Sequence, residues 1–199
     1  MTTDPRPRRV PSKEEYAASE RLATVPGPAP EDLVALFERL RAARDAEDRA
    51  GLEDACRRIL ERLSDACEVS RPGLKLLGPR PHRTREGRLS YELFGDYTFE
   101  GARIRLWTRT AIQKQWASSR TLLSTLCHEF MHHLDVHGLG FPSTFHTTGF
   151  FERTHRLYQA ALGRPHYPLA WHAPYRNGAR MIDWAETNRR KARIGRTGG

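Results

Sequence analysis

Apolar residues in the first third of the chain recur every three or four positions, which is the spacing of one face of an α-helix. A first helix is expected over residues 14–22, before a break rich in proline and glycine. A second helix begins at Pro30, because helices favour proline in their first turn, and a third carries the apolar residues of 52–67. The N-terminal part of the chain, residues 14–70, is therefore predicted to be helical.

In the middle of the chain the pattern changes to an alternation of apolar and polar residues, which is typical of β-strands. Short strands are predicted over 74–77, inside an arginine-rich stretch 71–88 that otherwise resembles a loop, and over 89–94. A third strand covers 102–108, where one face is apolar and the other is basic and aromatic. We expect it to be an edge strand to which an extended substrate can add, through Ile104, Leu106 and Trp107.

Two longer helices and a short one are predicted in the second half of the chain. Ser118 or Ser119 can cap a helix that runs to about residue 136 and ends at a glycine-rich turn. Another helix is expected over 145–162, and a short one over 181–193. Helices that flank a group of short strands indicate an α+β fold.

The most informative residues lie inside the helix predicted to begin near residue 118. His128 and His132 are one helical turn apart, so both imidazoles project from the same face and can hold one metal ion. Glu129 is rotated about 100° around the helix axis, at the border of that face. Zinc lowers the pKa of a water bound to it toward neutrality, and a carboxylate in this position can take the proton. The pattern predicts one zinc ion per chain and Glu129 as the general base of a hydrolysis.

A catalytic zinc takes three protein ligands, so one more ligand must come from another segment. His133 points away from the ligand face, and His137 lies one position short of the spacing in the metzincin pattern. Glu152 has the spacing of thermolysin-like peptidases, but it is expected on the solvated face of the helix over 145–162. His146 lies at the start of that helix beside its apolar face, so the pattern favours His146 and leaves Glu152 as the alternative.

The stretch from Leu123 to Leu157, with H-E-F-M-H followed by F-H-T-T-G-F-F-E-R, resembles the SprT-like zinc metallopeptidases. This resemblance implies a zincin-like minimal metallopeptidase domain, in which N-terminal helices and a small sheet precede the H-E-x-x-H helix. A following helix then delivers the third ligand. The zinc ligands and the general base that the resemblance implies are His128, His132, His146 and Glu129.

Some members of that family cleave proteins attached to DNA, so DNA is a candidate partner beside a protein or peptide substrate. The four-cysteine zinc ribbon of many members has no counterpart, since no cysteine follows Cys127. The net charge of +9 is concentrated in residues 1–13, with net +3, and 176–199, with net +5. Basic ends can contact polyanions. An alternative function is therefore a nucleic-acid-associated protein whose structural zinc is closed by a fourth ligand, such as His137 or Asp135.

Three side chains near the predicted zinc site are candidates for supporting roles. Asp135 lies three residues after His132 and can orient a ligand imidazole through the second ring nitrogen. Tyr158 and His155, on the following helix, can stabilise the oxyanion that forms when a peptide carbonyl is attacked.

Composition limits the class of protein. The 199 residues, 38% of them hydrophobic, suffice for one domain, expected over 14–175 with its catalytic part at 71–163. Residues 1–13 and 176–199 are expected to be disordered or flexible basic tails. No run of eighteen apolar residues predicts a membrane span, and the start of the chain lacks the pattern of a signal peptide. Three cysteines are too few for a disulfide framework, which favours a reducing, cytoplasmic location.

Overall fold

The structure, a computed structural model, describes residues 1–197, with side chains to residue 193, and has a mixed α+β architecture. Its helices are α1 (Ser12–Arg21), α2 (Pro30–Asp45), α3 (Arg49–Ala66), α4 (Ser119–His137), α5 (Thr148–Ala161) and α6 (Trp184–Thr197). Its strands are β1 (Gly73–Pro79), β2 (His82–Arg85), β3 (Arg88–Glu92), β4 (Gly95–Thr98) and β5 (Arg103–Arg109). Every predicted helix is present, with bounds that differ by a few residues. None of these helices combines the length and apolar composition that a membrane span requires.

The helices α2 and α3 pack against each other because each carries one apolar stripe. α2 begins at Pro30, whose fixed backbone angle suits the first helical turn. α3 begins after Asp48, whose carboxylate accepts a hydrogen bond from the backbone N–H of Gly51 at 3.0 Å. The apolar stripes of α2 and α3 also pack against the inner face of the sheet and against α4 and α5, so that all these elements share one core. The contributions of α2 and α3 to this core include Leu33, Leu40, Leu52, Ile59 and Leu63. The three cysteines are unbridged.

A three-stranded sheet supports the second half of the domain, with the order β1-β5-β4. β1 runs parallel and β4 antiparallel to β5. Ile104 and Leu106 are fully buried, as their alternation predicted, but Trp107, expected on the outer face, is only 7% exposed. The prediction that this strand lies at the edge is wrong, because β5 is hydrogen-bonded on both sides. The edge beside α4 belongs to β4, a strand that the sequence pattern did not predict.

The arginine-rich stretch 71–88, expected to be a loop around one strand, forms β1 and most of a hairpin. β2 and β3 pair antiparallel to each other and form a two-stranded sheet separate from the other three strands. Arg83, Arg85 and Arg88 are exposed on this ribbon. The hairpin therefore presents a concentrated basic surface outside the main sheet.

The first residues of the chain contact the segment around Arg180. The backbone N–H of Thr3 donates to the carbonyl of Arg180 at 2.8 Å, and Thr3 is buried. Residues 1–13 and 176–199 are the segments expected to be disordered or flexible, and the structure shows backbone pairing between them at Thr3 and Arg180, while residues 198 and 199 lie outside the described part of the chain. Pairing between segments so distant in sequence leaves no local periodicity from which it can be predicted.

Candidate metal centre

Two of the predicted metal ligands are fixed by the helix α4. This helix begins after Ser118, whose side chain accepts a hydrogen bond from the backbone N–H of Thr121 at 3.1 Å. Leu123, Leu126 and Phe130 on its apolar side are fully buried. His128 and His132 lie one turn apart on the neighbouring stripe, with ring centroids separated by 4.9 Å.

The third imidazole comes from His146, in the loop just before α5. The helix was expected to begin at residue 145, but it begins at Thr148 after Thr147, whose hydroxyl accepts from the backbone N–H of Phe150 at 3.0 Å. The Nε2 atom of His146 lies 3.1 Å from Nε2 of His128. The loop therefore brings this ring to α4 although the two residues are 18 positions apart.

The three imidazoles have a geometry that suits a metal ion. His128, His132 and His146 form the one group of potential metal ligands that converges within the described residues. The Nε2 atom of His128 lies 3.2 Å from Nε2 of His132 and 3.1 Å from Nε2 of His146, and all three ligand atoms lie within 4.8 Å of one another. Ligands about 2.05 Å from a tetrahedral zinc are about 3.3 Å from one another. The two distances from His128 match this spacing, and the group could hold a metal ion.

The protonation state of the rings also suits metal binding. Burial, with a smaller contribution from His146, lowers the pKa of His128 to about 3. Burial and the neighbouring His128 lower the pKa of His132 to about 2. Both rings are therefore neutral near pH 7, so that each can offer an unprotonated nitrogen, as a metal ligand must.

Two of the candidate ligand rings, those of His132 and His146, contact a further polar group at their Nδ1 atoms. The sequence analysis did not identify either group. The Nδ1 atom of His132 lies 3.1 Å from the hydroxyl oxygen of Thr144. The Nδ1 atom of His146 lies 3.4 Å from the carboxylate of Asp4, which also accepts the backbone N–H of His146 at 2.9 Å. These contacts leave the Nε2 atoms to face one another, the arrangement that outer partners of metal-binding histidines produce.

Thr144 has an unusual backbone conformation. Its φ of 43° lies in the left-handed region, which β-branched residues rarely adopt. The residue is buried, and the conformation places its hydroxyl against His132. Backbone strain of this kind is concentrated at functional sites.

Asp135 does not orient a ligand imidazole, contrary to the sequence-based expectation. Its carboxylate accepts a hydrogen bond from the guanidinium of Arg153 at 2.8 Å, and both side chains are completely buried. Arg153 also donates to the carbonyls of Ser19 and Leu22, so it ties α1, α4 and α5 together. Asp135 therefore supports the packing of the helices.

Glu129 lies on the side of α4 that faces β4. A β-carbon on Gly95 would lie 3.1 Å from Cγ of Glu129, so the strand approaches the helix closely at this point. The glutamate is 6% exposed, and burial raises its pKa to about 8, with a further contribution from Asp96. A carboxyl group with a pKa near neutrality can both accept and release a proton.

Glu152, the alternative third ligand, is remote from this group of imidazoles. Its carboxylate accepts the backbone N–H of Leu169 at 2.7 Å and lies 3.7 Å from the ring of His166. The prediction that Glu152 lies on a solvated helix face is wrong, because the neighbouring side chains of Arg153 and Gln159 are buried. The carboxylate anchors the segment that follows α5.

His133 and His137, the remaining imidazoles of α4, belong to a different contact. His133 is completely buried, and its Nε2 atom lies 2.7 Å from the carbonyl of Ser70. The hydroxyl of Tyr97 lies 3.0 Å from a ring nitrogen of each histidine. His133 thus points away from the ligand face, as predicted, and it is buried because Tyr97 of β4 and the carbonyl of Ser70 contact its ring.

Tyr158 and His155 both line a cavity of about 520 Å³ that His128 also lines. The ring of His155 packs edge-on against Tyr167, with centroids 4.8 Å apart. The two side chains thus border the space next to a candidate metal ligand.

Comparisons of the chain with protein-family models, curated proteins and solved structures found no match.

Proposed function

We propose that this protein is a zinc-dependent metallopeptidase with a zincin-like domain of the SprT-like kind. The observation that carries the proposal is the convergence of three imidazole nitrogens beside a buried glutamate that directly follows the first of them. When bound, zinc supplies a Lewis acid that polarises a carbonyl group and makes water nucleophilic near neutral pH. His128, His132 and His146 would hold this ion, and a catalytic zinc keeps one further position for water or substrate.

Glu129 acts as the general base in this proposal. Its carboxylate takes a proton from the attacking water and passes it to the amine that leaves when the C–N bond breaks. Burial raises the pKa of this carboxyl group in the metal-free protein, and a cation bound beside it would favour the ionised form that accepts the proton. Tyr158 and His155 are candidates to donate hydrogen bonds to the developing oxyanion, because they line the space beside His128.

The free edge of β4 offers a place for an extended peptide. An edge strand presents unpaired backbone N–H and C=O groups, to which a peptide can add as a further strand. Gly95 holds β4 against α4 at Glu129, since any larger residue would meet both Thr125 and Glu129. A peptide on this edge therefore passes in front of the proposed general base.

Neither alternative function is favoured by an observation at the site. A structural zinc needs a fourth protein ligand, but Asp135 is paired with Arg153 and His137 contacts Tyr97. A thermolysin-like ligand set needs Glu152, which instead binds the backbone of Leu169.

The proposal is tested first by metal content. Purified protein is expected to contain about one zinc per chain by elemental analysis, and His132→Ala is expected to lose it. Absence of zinc, with none taken up on titration, contradicts the proposal.

Catalysis is tested by Glu129→Gln, which keeps the shape of the side chain and removes the base. Hydrolysis of casein should fall by about a hundredfold or more, while zinc content stays unchanged. Glu152→Gln is the matched control, because the same chemical change at this carboxylate should leave both zinc and activity close to the parent's. Equal activity of Glu129→Gln and the parent refutes the assigned role.

A further inference from the structure

The cavity beside the metal centre runs along the groove between α4 and α5. One wall is the stripe of α4 that leads from Arg120 through Ser124 to His128. Tyr167, from the segment after α5, and Trp184, the first residue of α6, line other parts of the cavity. The volume of about 520 Å³ lies within the range of pockets that bury small ligands.

The cavity wall is predominantly apolar and aromatic. Its apolar members include Phe94, Phe151, Tyr158, Tyr167, Leu169 and Ile182. Among the described residues, no carboxylate lines it. A large apolar side chain entering this space gains about 25 cal/mol for each Å² removed from water, whereas a cationic one loses its hydration and meets Arg120 with no carboxylate to compensate.

We propose that this cavity receives the substrate side chain next to the cleaved bond and selects large apolar residues such as Phe and Leu. This inference rests on the proposed peptidase function. His128 belongs both to the ligand group and to the cavity wall. An extended peptide advances about 3.3 Å per residue, so a peptide whose carbonyl lies at the ligands brings an adjacent side chain to the cavity.

The test uses peptides that differ only at the two residues flanking the cleaved bond, carrying Phe, Leu, Ala or Glu. At one of the two positions, the zinc-loaded parent is expected to prefer Phe or Leu over Ala by about tenfold or more in kcat/KM. Ser124→Phe adds a ring to the cavity wall one turn before His128 and should remove this preference. Ser124→Ala is the matched control and should retain it, because it leaves the volume open.

The outcomes separate the subsite from the activity. If the kcat/KM values of all peptides agree within about threefold at both positions, the proposed subsite is refuted, while the proposed peptidase function is supported. A Ser124→Phe variant that keeps the parent's preference also overturns the subsite. Failure of the parent to cleave any peptide overturns the peptidase and, with it, this subsite.

An independent observation concerns the first six residues, which cross the loop that carries His146. The backbone N–H of Asp4 donates to the carbonyl of His146 at 2.9 Å, and the Asp4 carboxylate accepts the backbone N–H of the same residue. That carboxylate also lies 3.4 Å from Nδ1 of the ring. Asp4 thus contacts both the backbone and the imidazole of one candidate ligand.

This N-terminal strap, residues 1–6, is anchored at points away from the metal centre. Thr3 donates to Arg180, and the guanidinium of Arg6 pairs with Glu20 at 2.7 Å. The hydroxyl of Tyr16 donates to the carbonyl of Asp4 at 3.1 Å. These anchors hold the carboxylate behind His146.

We infer that Asp4 is a positioning residue of the metal centre. A carboxylate on Nδ1 fixes the tautomer in which Nδ1 carries the proton, leaves Nε2 free for the metal, and raises its basicity. Partners of this kind typically change metal affinity by about 10- to 100-fold. The inference rests on the metal site of the proposed function and does not depend on peptidase activity.

The chain offers a matched control for this test. Glu15 also reaches from the N-terminal region to the same loop, where its carboxylate accepts the backbone N–H of Ser143 at 2.7 Å. It contacts no ligand imidazole among the described residues. Zn²⁺ affinity is measured by competition with a chromophoric chelator for Asp4→Asn, Asp4→Ala and Glu15→Gln.

Asp4→Asn should weaken Zn²⁺ binding by about tenfold and Asp4→Ala by up to about a hundredfold, while Glu15→Gln stays within about twofold of the parent. The absorption bands of bound Co²⁺ should shift in both Asp4 variants and not in Glu15→Gln. Melting of the metal-free proteins reports whether each variant folds.

Folded Asp4 variants that bind Zn²⁺ like the parent overturn the inference and leave the metal site intact. Equal weakening by Glu15→Gln overturns it as well, because loop anchoring alone would then explain the effect. A parent that binds no Zn²⁺ overturns the metal site itself.

Discussion

Replacing Gly149 by alanine gives a sharp test of how the third ligand is positioned. A β-carbon at this residue would lie 2.7 Å from the carbonyl oxygen of Leu22 and 2.8 Å from that of Glu20, and closer still to that of Ser19. All three oxygens belong to the backbone at the end of α1, so they cannot turn away. The added methyl group must therefore push α1 and α5 apart, three residues after His146.

The expected cost follows from these contacts. Overpacking a filled interior costs about 1–3 kcal/mol, and backbone obstacles place Gly149→Ala at the upper end. The higher helix propensity of alanine stabilises the folded state by at most about 1 kcal/mol and offsets part of this cost. The net loss of about 2 kcal/mol in the free energy of unfolding corresponds to a fall of about 4–8 °C in Tm for a chain of this size.

The assay is thermal unfolding of the metal-free protein, followed by circular dichroism. Gly78→Ala serves as the control, because a β-carbon there would meet no atom within 4 Å, and it should melt within about 2 °C of the parent. Zn²⁺ affinity of Gly149→Ala should fall too, since the displaced helix carries the loop of His146. A Gly149→Ala protein that melts at or above the parent's temperature would refute the close approach of α1 to α5.

Three other perturbations have defined outcomes. Arg153→Met should lower the free energy of unfolding measured in urea by about 3–5 kcal/mol, because it leaves the buried carboxylate partner of this arginine uncompensated; a loss below about 1 kcal/mol contradicts that pairing. The pKa of Glu129 rises on folding from 4.5 to about 8, so this carboxyl group destabilises the metal-free folded state increasingly as pH rises through this window, while the lowered pKa values of His128 and His132 have the opposite effect below about pH 6.5. Glu129→Gln should remove this contribution, so the Tm of the variant relative to the parent's should rise with pH across the window. Parallel Tm-against-pH curves for the two proteins would contradict the raised pKa of Glu129. If the basic hairpin binds DNA, replacing Arg83, Arg85 and Arg88 by alanine should flatten the salt dependence of DNA affinity, measured by fluorescence anisotropy. The same replacement should not lower Tm. Absence of DNA binding by the parent at about 50 mM salt contradicts a DNA partner.

Local spacing in the sequence was enough to predict the helices and the group of candidate ligands. His128 and His132 share a face because four residues make about one helical turn, whatever surrounds the helix. The preference for His146 over Glu152 also agrees with the structure, although the stated reason was partly wrong. Glu152 does not lie on a solvated face, and its carboxylate accepts a hydrogen bond from the backbone N–H of Leu169.

The tertiary structure decided what depends on segments that are distant in sequence. Alternation of apolar residues identified β5 as a strand, but whether a strand is central or at an edge depends on which other strands pair with it. A buried arginine such as Arg153 has no apolar signature, because its burial depends on a carboxylate 18 residues away and on carbonyls of α1. Asp4 lies 142 residues from the imidazole it contacts. No local pattern encodes such a contact, since it exists only after the chain end, the loop and the two helices have packed together.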